Sequence, residues 1–420
     1  MNLAVIGLWH LGTVISAGLA SLKKNKVYCF DQVKIIENFK KNKLPIIEKK
    51  IQNIIKKNYN KNVFFHSDFK KLKEFRVVWI AYDAVIDQRD VSNFNDTFAK
   101  FKKILNYLKK ETLVIISTQI PVGSIKKLEL YDKIILKKNL RFAYIPENLR
   151  LGKSLEIFLN SEDIIIGLRN SSDKKIVSKI IEGIHSKKHF VSIETAEMTK
   201  HVINTYLACS IALINEISLI ARKHDVSFSD LEKSVKTDKR ISSKAYLRPG
   251  NPFSGGTLAR DINYLISQNK KNNINNILLK SILKSNYNHS KWVEIILNRQ
   301  KNLKNKKILQ IGLSYTSGTT TLRRSLPFEI FQRLKKNYNI MIFDEYLRKN
   351  SPEIEKIKKY FEFVKKNKKF DIIIIFNNNY NFKIIKKFLK KNSLIIDINN
   401  FYRKDCLRNK IKYKSLEYEN

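Results

Sequence analysis

Short apolar runs rich in Val and Ile recur through the first half of the chain, and longer Lys-rich amphipathic segments separate them. These candidate strands are Leu3–Ile6, Val27–Phe30, Val77–Ala81, Leu113–Ser117, Phe142–Ile145 and Ile164–Gly167. A strand that is apolar at every position is buried on both faces, and such strands alternate with helices in parallel sheets that are covered on both sides. The alternation therefore predicts an α/β fold built on a parallel sheet.

The pattern changes near residue 194. Residues 194–223 have helical periodicity without Gly or Pro, which predicts one long helix, and further helix extends to about Leu303 around the turn-rich segment Arg248–Gly256. Strand-like runs return at Lys307–Ile311, Ile340–Phe343, Asp371–Phe376 and Leu394–Asp397. We expect three domains: a Rossmann-type sheet at 1–193, a central long-helix region at 194–303 and a smaller α/β domain at 304–420.

The basic composition suggests a different function, nucleic-acid binding. The 420 residues include 81 Lys and Arg against 38 Asp and Glu, a formal charge of +43. The lysines lie in doublets such as Lys102-Lys103, spread over the whole chain among Asn and Ile, as a compositional bias would produce. We therefore expect no nucleic-acid partner. The alternative, a nucleic-acid binder on a borrowed fold, would lose affinity steeply with salt.

Cysteine usage and hydropathy indicate the compartment. The three cysteines, Cys29, Cys209 and Cys406, form no CxxC pair, which argues against disulfides and structural zinc and favours a reducing cytoplasm. The apolar run Leu3–Leu22 lacks a basic flank and carries glycines at turn spacing, so we interpret it as a strand and a helix. No metal and no membrane association are expected.

A glycine turn follows the first strand. Gly7-Leu8-Trp9-His10-Leu11-Gly12 opens a helix, and Asp31 ends the next strand. In this context a glycine turn binds a pyrophosphate at the helix N-terminus, and the acid binds ribose hydroxyls. Asp31 favours NAD over NADP. Trp9 stands where a second glycine is usual, and a strand–turn–helix without cofactor is the alternative.

Polar residues follow two later strands and line the long helix. Thr118 and Pro121 lie in Ser117–Gly123, and Glu147 follows the strand Phe142–Ile145; ligands bind at this edge of a parallel sheet, although ordinary turns look the same. Lys200 and Asn204 are four residues apart and share a helix face. Apolar neighbours of Lys200 predict its burial, which favours a neutral amine suited to acid–base chemistry.

Two loops complete the set of candidates. Arg248–Asp261 is the densest turn signal in the chain, either a connector or a loop that wraps a ligand with backbone amides. Gly312–Ser325 follows a strand and carries hydroxyls and two arginines, which suit a phosphate-bearing ligand.

Taken together and in this order, these motifs resemble the UDP-glucose/GDP-mannose dehydrogenase family over nearly the whole chain. The matching residues are Gly7, Gly12, Asp31, Ser117-Thr118, Pro121, Gly123, Pro146-Glu147, Ala196-Glu197, Lys200, Asn204, Asn215-Glu216, Asp238, Arg240-Ile241, Phe253, Gly255, Asp261, Gly312, Thr319, Arg323 and Ser325. The resemblance implies an NAD-binding first domain, a central helix that forms a homodimer interface and a C-terminal domain that holds the nucleotide sugar. It implies oxidation of the sugar's C6 alcohol to a carboxylate, with two hydrides passed to NAD, most simply UDP-glucose to UDP-glucuronate for polysaccharide biosynthesis.

The resemblance also assigns roles. Lys200 and Asn204 would stabilise the alkoxide and oxyanion, Asp261 and Thr118 would order water, and Glu147 would carry protons. The residues expected to bind the cofactor are Gly7, Trp9, His10, Leu11, Gly12, Asp31 and Thr118. Those expected to bind the nucleotide sugar are Arg240, Phe253, Gly255 and Arg323, with one arginine coming from the neighbouring subunit.

One departure concerns the chemistry itself. The family's catalytic cysteine falls at Thr257, four residues before Asp261, and an unactivated hydroxyl forms the covalent intermediate poorly. Leu151 and Thr316 replace an acid and a lysine of the family pattern. The sequence therefore predicts slow turnover or arrest after one hydride, and a non-catalytic relative that only binds NAD or nucleotide sugar is the alternative.

Overall fold

A computed structural model of the chain describes residues 1–45, 48–83, 94–147, 149, 152–224, 226–254, 257–271, 273–315, 322, 324–350, 352–362 and 368–417. The chain divides into two compact units, Met1–Ile203 and Asn204–Asn420. The division falls inside one long helix. The three-domain division expected from the sequence stays a prediction.

Among the described residues of the first unit, eight strands form one sheet in the order β3-β2-β1-β4-β5-β6-β7-β8. The strands are β1 (Asn2–Ile6), β2 (Lys26–Phe30), β3 (Val63–His66), β4 (Val77–Ile80), β5 (Leu113–Ile116), β6 (Arg141–Tyr144), β7 (Asp163–Leu168) and β8 (Lys187–Val191). The helices are α1 (His10–Ser21), α2 (Val33–Lys40), α3 (Lys49–Asn58), α4 (Phe94–Leu105), α5 (Ser124–Tyr131), α6 (Lys133–Lys138), α7 (Ser154–Asn160), α8 (Asp173–Ile180) and α9 (Ile193–Lys223). The predicted α/β class with a Rossmann-type sheet is confirmed.

The central strands β1, β4 and β5 are buried on both faces. In β1, Leu3 and Val5 belong to one apolar cluster, whereas Ala4 and Ile6 belong to the cluster on the opposite face. Alternate residues of a strand point to opposite faces, so both sides of β1 are covered by helices. This is why residues 3–6 form a continuous apolar segment in the sequence.

The sheet is mostly parallel, as expected, with one antiparallel seam. β7 pairs antiparallel with β6 through two residue pairs, Ala143 with Leu168 and Tyr144 with Gly167. The other described pairings of this sheet are parallel. Strand direction is set by the connection between strands and not by composition, so the apolar run of β7 carried no information about it.

The second unit contains helices and a smaller sheet. Its helices after α9 are α10 (Phe228–Val235), α11 (Leu258–Lys271), α12 (Ile277–His289), α13 (Trp292–Asn298), α14 (Leu326–Leu334), α15 (Glu345–Asn350), α16 (Phe382–Lys386) and α17 (Arg403–Arg408). Its described strands are all parallel, in the order β10-β9-β11-β12-β13: β9 (Lys307–Ile311), β10 (Asn339–Phe343), β11 (Phe370–Ile375), β12 (Leu389–Asp397) and β13 (Lys412–Lys414).

The helix α9 has two faces of different character. Its buried positions begin as a polar stripe, Glu197, Lys200, His201 and Asn204, and continue with Ala208 and Ala212. Among the described helices it is the one long and apolar enough to span a membrane. A core helix of a soluble protein has the same length and hydropathy, and four buried polar side chains fit a protein interior better than lipid.

Candidate active site

The turn between β1 and α1 requires both of its outer glycines. Gly7 has φ +93°, and a Cβ there would lie 2.7 Å from the Tyr82 ring and 3.0 Å from its backbone nitrogen. A Cβ on Gly12 would lie 1.9 Å from the carbonyl oxygen of Gly7. The helix therefore begins in direct contact with the strand end, as a dinucleotide-binding turn requires.

The N-terminus of α1 is open to a ligand. Trp9 precedes the helix, is 54% exposed and provides no side-chain cap, so its side chain does not compete with an anion for the first-turn N–H groups. The Trp9 ring thus lies at the surface and does not pack beneath the turn. An acid that the sequence analysis missed lies nearby: Asp83 accepts a hydrogen bond from the Leu11 N–H at 3.4 Å.

Asp31 is fixed at the end of β2. Its Oδ2 accepts the Leu8 N–H at 2.6 Å and its Oδ1 accepts the Gln32 N–H at 2.7 Å. The glycine turn and the carboxylate are therefore joined directly. A close strand–helix turn, an open helix N-terminus and a fixed acid at the next strand end together fit NAD.

His10, the first residue of α1, is held by a residue that the sequence did not suggest. Glu48 Oε1 lies 3.3 Å from His10 Nε2, and the same oxygen accepts the Gly152 N–H at 3.2 Å and the Ser154 hydroxyl at 2.8 Å. One carboxylate thus links the cofactor turn to the segment that follows Glu147.

Glu147 and Lys200 line the same cavity of about 60 Å³ in the first unit, together with Trp79 and Thr199. Burial raises the pKa of Glu147 to about 8, although the charge of Lys200 opposes the shift. Lys200 is 8% exposed. A carboxyl group that titrates near pH 8 can both donate and accept a proton at physiological pH, which suits an acid–base role.

The two hydroxyls that follow β5 have different surroundings. Ser117 donates to the Ile145 carbonyl at 2.7 Å and accepts from Trp79 Nε1 at 2.9 Å, so it is structural. Thr118 is fully buried, and its Oγ1 has no hydrogen-bond partner among the described residues. A buried hydroxyl in this state can bind a ligand or a water.

Glu197, on α9, binds the segment between β5 and α5, which contains Thr118. Its carboxylate accepts the Gly123 N–H at 2.6 Å and the Ile125 N–H at 3.3 Å, at the N-terminus of α5. Burial raises the pKa of Glu197 to about 7. The Ala196-Glu197 match therefore marks a structural cap, placed one turn before Lys200.

In the second unit, Asn204 donates a hydrogen bond from Nδ2 to Asp261 Oδ2, and both side chains are buried. Arg260 Nε lies 3.8 Å from Asp261 Oδ1, a partner that the sequence analysis missed although it is adjacent in the chain. Thr257 is exposed, and its carbonyl accepts the Asp261 N–H at 3.2 Å. A backbone hydrogen bond therefore connects position 257 to the buried residue Asp261.

Of the remaining predicted substrate residues, the structure describes Phe253 and Arg240, which have different surroundings. Phe253 is buried in a cluster with Ala208, Ile262 and Ile282. The Arg240 side chain is 88% exposed and bonds to Asp238 at 3.0 Å and 2.6 Å. Gly255 and Arg323 lie outside the described residues, as do Leu151 and Thr316.

A second cavity, of about 120 Å³, lies in the second unit and is lined by Asn251, Ser254, Ser314, Tyr315, Asn377 and Phe401 among others. Ser314 and Asn377 follow β9 and β11. These neighbouring strands lie where the strand order reverses, the position at which open α/β sheets bind ligands.

Two of the three cysteines are buried as protonated thiols. Burial raises the pKa of Cys29 and of Cys406 to about 12, so both thiols stay protonated. Cys209 is partly buried on α9, against the cluster that contains Phe253.

The fold and the glycine turn define a dinucleotide-binding protein of the dehydrogenase class. Three models of the UDP-glucose/GDP-mannose dehydrogenase family match the chain: the NAD binding domain at residues 1–185, the central domain at 194–288 and the UDP binding domain at 309–404. The chain belongs to this family. It is an oxidoreductase that acts on a CH–OH group of a nucleotide sugar, and the expected cofactor, NAD, is confirmed.

Individual relatives agree with this assignment. A UDP-glucose 6-dehydrogenase of Rickettsia bellii is 29% identical over 362 residues, which cover 84% of this chain and 82% of the relative. The Bacillus subtilis UDP-glucose 6-dehydrogenase YwqF is 27% identical over 342 residues, covering 80% and 77%. A UDP-glucose dehydrogenase structure from the archaeon Pyrobaculum islandicum has the same fold, with TM-score 0.85, 19% identity and coverage of 99% and 98%.

Proposed function

We propose that this protein oxidises the C6 alcohol of UDP-glucose with NAD, in the cytoplasm, to supply a precursor for polysaccharide synthesis. The substrate is supported by the names of the Rickettsia and Bacillus relatives. The observation that carries the proposal is the pair Glu147 and Lys200, which line one buried cavity in the unit that also holds the NAD turn.

The protein's own residues would manage charge and protons. NAD, when bound, accepts the hydride that leaves C6. The Lys200 amine and the Asn204 amide would stabilise the alkoxide oxygen; Asn204 uses one N–H on Asp261 and has a second to donate. Glu147, with its pKa near 8, is mostly protonated at neutral pH; its ionised form would receive the hydroxyl proton, which balances the step as alcohol to aldehyde plus hydride plus proton.

The second oxidation requires an oxygen nucleophile or a covalent intermediate. Asp261 and Thr118 would order the water for it. Thr257 has a hydroxyl where the family pattern has a thiol, and a hydroxyl is almost fully protonated at neutral pH, so the covalent route is slow. We therefore propose that the aldehyde accumulates and that the first hydride transfer is much faster than the second.

Counting NADH formed per UDP-glucose consumed tests this proposal. We expect about one NADH per sugar in the early phase, with aldehyde trapped by a hydroxylamine. Thr257→Cys should raise the ratio to two, whereas Thr257→Ser, which keeps a hydroxyl, should leave it unchanged. Two NADH per sugar at an ordinary rate in the natural sequence would contradict the proposal.

A second candidate is a relative that binds without oxidising. The observations that favour it are the exposed Thr257 and the exposed Trp9 at the pyrophosphate turn. Assays with a panel of UDP- and GDP-sugars distinguish the two candidates. Calorimetric binding of NAD and UDP-glucose, with no NADH formed from any of these sugars, would establish this candidate in place of the enzyme.

We also propose a homodimer formed through α9. Tyr206, Leu213 and Ile220 recur every seven residues and are 68%, 55% and 63% exposed, a stripe that a second helix would cover. Arg240, exposed and bonded to Asp238, would then reach the nucleotide sugar of the neighbouring subunit. Light scattering of the purified chain measures the oligomeric state directly.

A further inference from the structure

Residues 250–253, which we call the clamped loop, have their backbone held by side chains from three separate elements. Pro252 has no amide N–H, and the other three residues of the loop each donate theirs to an asparagine side chain. The donors and acceptors are Gly250 to Asn215 Oδ1 at 3.0 Å, Asn251 to Asn399 Oδ1 at 3.0 Å and Phe253 to Asn286 Oδ1 at 2.8 Å. Backbone of this kind, outside helix and strand, would otherwise bind water.

Asn286 makes the most complete of these contacts. Besides accepting the Phe253 N–H, it donates from Nδ2 to the Phe253 carbonyl at 2.8 Å. One side-chain amide thus satisfies both backbone groups of one residue, as a neighbouring strand would. The geometry requires the amide's donor and acceptor together, which an acid or an apolar residue cannot supply.

His289, one turn further along α12, holds the other end of the clamped loop. Its Nε2 lies 3.0 Å from the Gly250 carbonyl. Because a carbonyl only accepts, Nε2 must carry the proton. Burial lowers the pKa of His289, so the ring stays neutral at physiological pH. The face of α12 that carries Asn286 and His289 therefore supports the loop at two points.

The clamped loop contributes to the second-unit cavity described above. Asn251 lines that cavity together with residues such as Tyr315 and Phe401. The Oδ1 atom of Asn251 is buried and has no hydrogen-bond partner among the described residues. A ligand in the cavity could donate to it.

We propose that Asn286 is a positioning residue that holds the clamped loop in its binding conformation before the nucleotide sugar arrives. The inference rests on the proposed function and on the role that the family resemblance implies for Phe253 of this loop, binding of the nucleotide sugar. A loop that is already ordered loses less conformational freedom on binding, so the clamp raises affinity without entering the chemistry.

Asn286→Asp tests the inference with minimal change of shape. One carboxylate oxygen can still accept the Phe253 N–H, but the other now faces the Phe253 carbonyl, and two acceptors repel. Asn288→Asp is the matched control, because Asn288 is exposed on the same helix and the change adds the same charge. Asn286→Ala provides the same readouts without added charge if the acidic variant folds poorly.

The first readout is hydrogen exchange of the peptide 247–254 in the free protein. Pro249 and Pro252 carry no amide proton, so the peptide reports mainly on the clamped amides. We expect Asn286→Asp to speed exchange at Phe253 by roughly 10-fold or more, while Gly250 and Asn251 keep their own partners. Unchanged exchange at Phe253 would overturn the clamp.

The second readout is steady-state kinetics with UDP-glucose and NAD. We expect the KM for UDP-glucose, and the Kd for UDP, to rise roughly 10-fold, with kcat at saturating sugar and the KM for NAD within about 3-fold of their original values. A merely structural role would lower the active fraction and hence kcat. Faster exchange with unchanged affinity would overturn the inference, whereas a natural chain that binds neither UDP-glucose nor UDP would overturn the proposed function itself.

Discussion

Glu147→Gln should change how the stability of the first unit depends on pH. Burial raises the pKa of Glu147 from 4.5 to about 8. The folded unit therefore keeps this proton at pH values where the unfolded chain has lost it, so the free energy of unfolding is highest below pH 4.5 and falls as the pH rises toward 8. At about 1.36 kcal/mol per pKa unit, the fall amounts to about 5 kcal/mol at most.

Glutamine has nearly the same shape as glutamic acid and does not titrate. In the variant, the free energy of unfolding should therefore not show this fall between pH 4.5 and 8. The assay is urea unfolding between pH 5 and 8, followed by tryptophan fluorescence, to which the buried Trp79 of the same cavity contributes together with Trp9 and Trp292. Glu156→Gln, an exposed acid on α7, is the control and should keep the original slope. Parallel slopes for the Glu147 variant and the natural chain would refute the argument that Glu147 is buried as a neutral acid.

Two other changes test the cofactor turn and the proposed dimer. Gly12→Ala should abolish NAD binding in a calorimetric titration and lower the thermal midpoint, since the methyl group would lie 1.9 Å from the Gly7 carbonyl oxygen; normal NAD affinity would mean that the turn is not the cofactor site. Arg240→Ala should leave the free energy of unfolding nearly unchanged, as at other exposed positions, yet raise the KM for the nucleotide sugar. An unchanged KM would exclude Arg240 from substrate binding.

Most of the strands that the sequence predicted lie inside a sheet; β10, an apolar edge strand, is an exception. β1, β4 and β5 are buried on both faces from Leu3, Val77 and Leu113 onward, so each is visible in the sequence as an apolar run. The strands that it missed, β3, β8 and β13, are the outer strands of their sheets, and β8 and β13 contain lysines. An edge strand is exposed along one side and its sequence resembles a loop.

The site residues divide in the same way. Gly7 and Asp31 were predictable because each occupies a fixed place relative to a strand end. Glu48 was not, because its contact with Ser154 joins residues 106 positions apart. The burial of Lys200 was predicted for the wrong reason: its apolar neighbour Val202 is 52% exposed, and Lys200 is buried on the polar stripe of the opposite face.

The seam between β6 and β7 has a mechanical consequence. Among the described residues, two backbone pairs between β6 and β7 join the strands β1 to β6 to the last two strands, β7 and β8. This narrow junction lies just before Glu147 in the chain. Beyond Tyr144 the backbone separates from β7, and Ile145, Glu147, Ile164 and Ile165 line the cavity that results. The sheet is continuous in strand order but has its fewest backbone pairs along this line, so we expect local opening of the first unit to begin there. Glu147, which we propose carries protons, lies beside this seam, where small movements of two strands would change its exposure to water and hence its acidity.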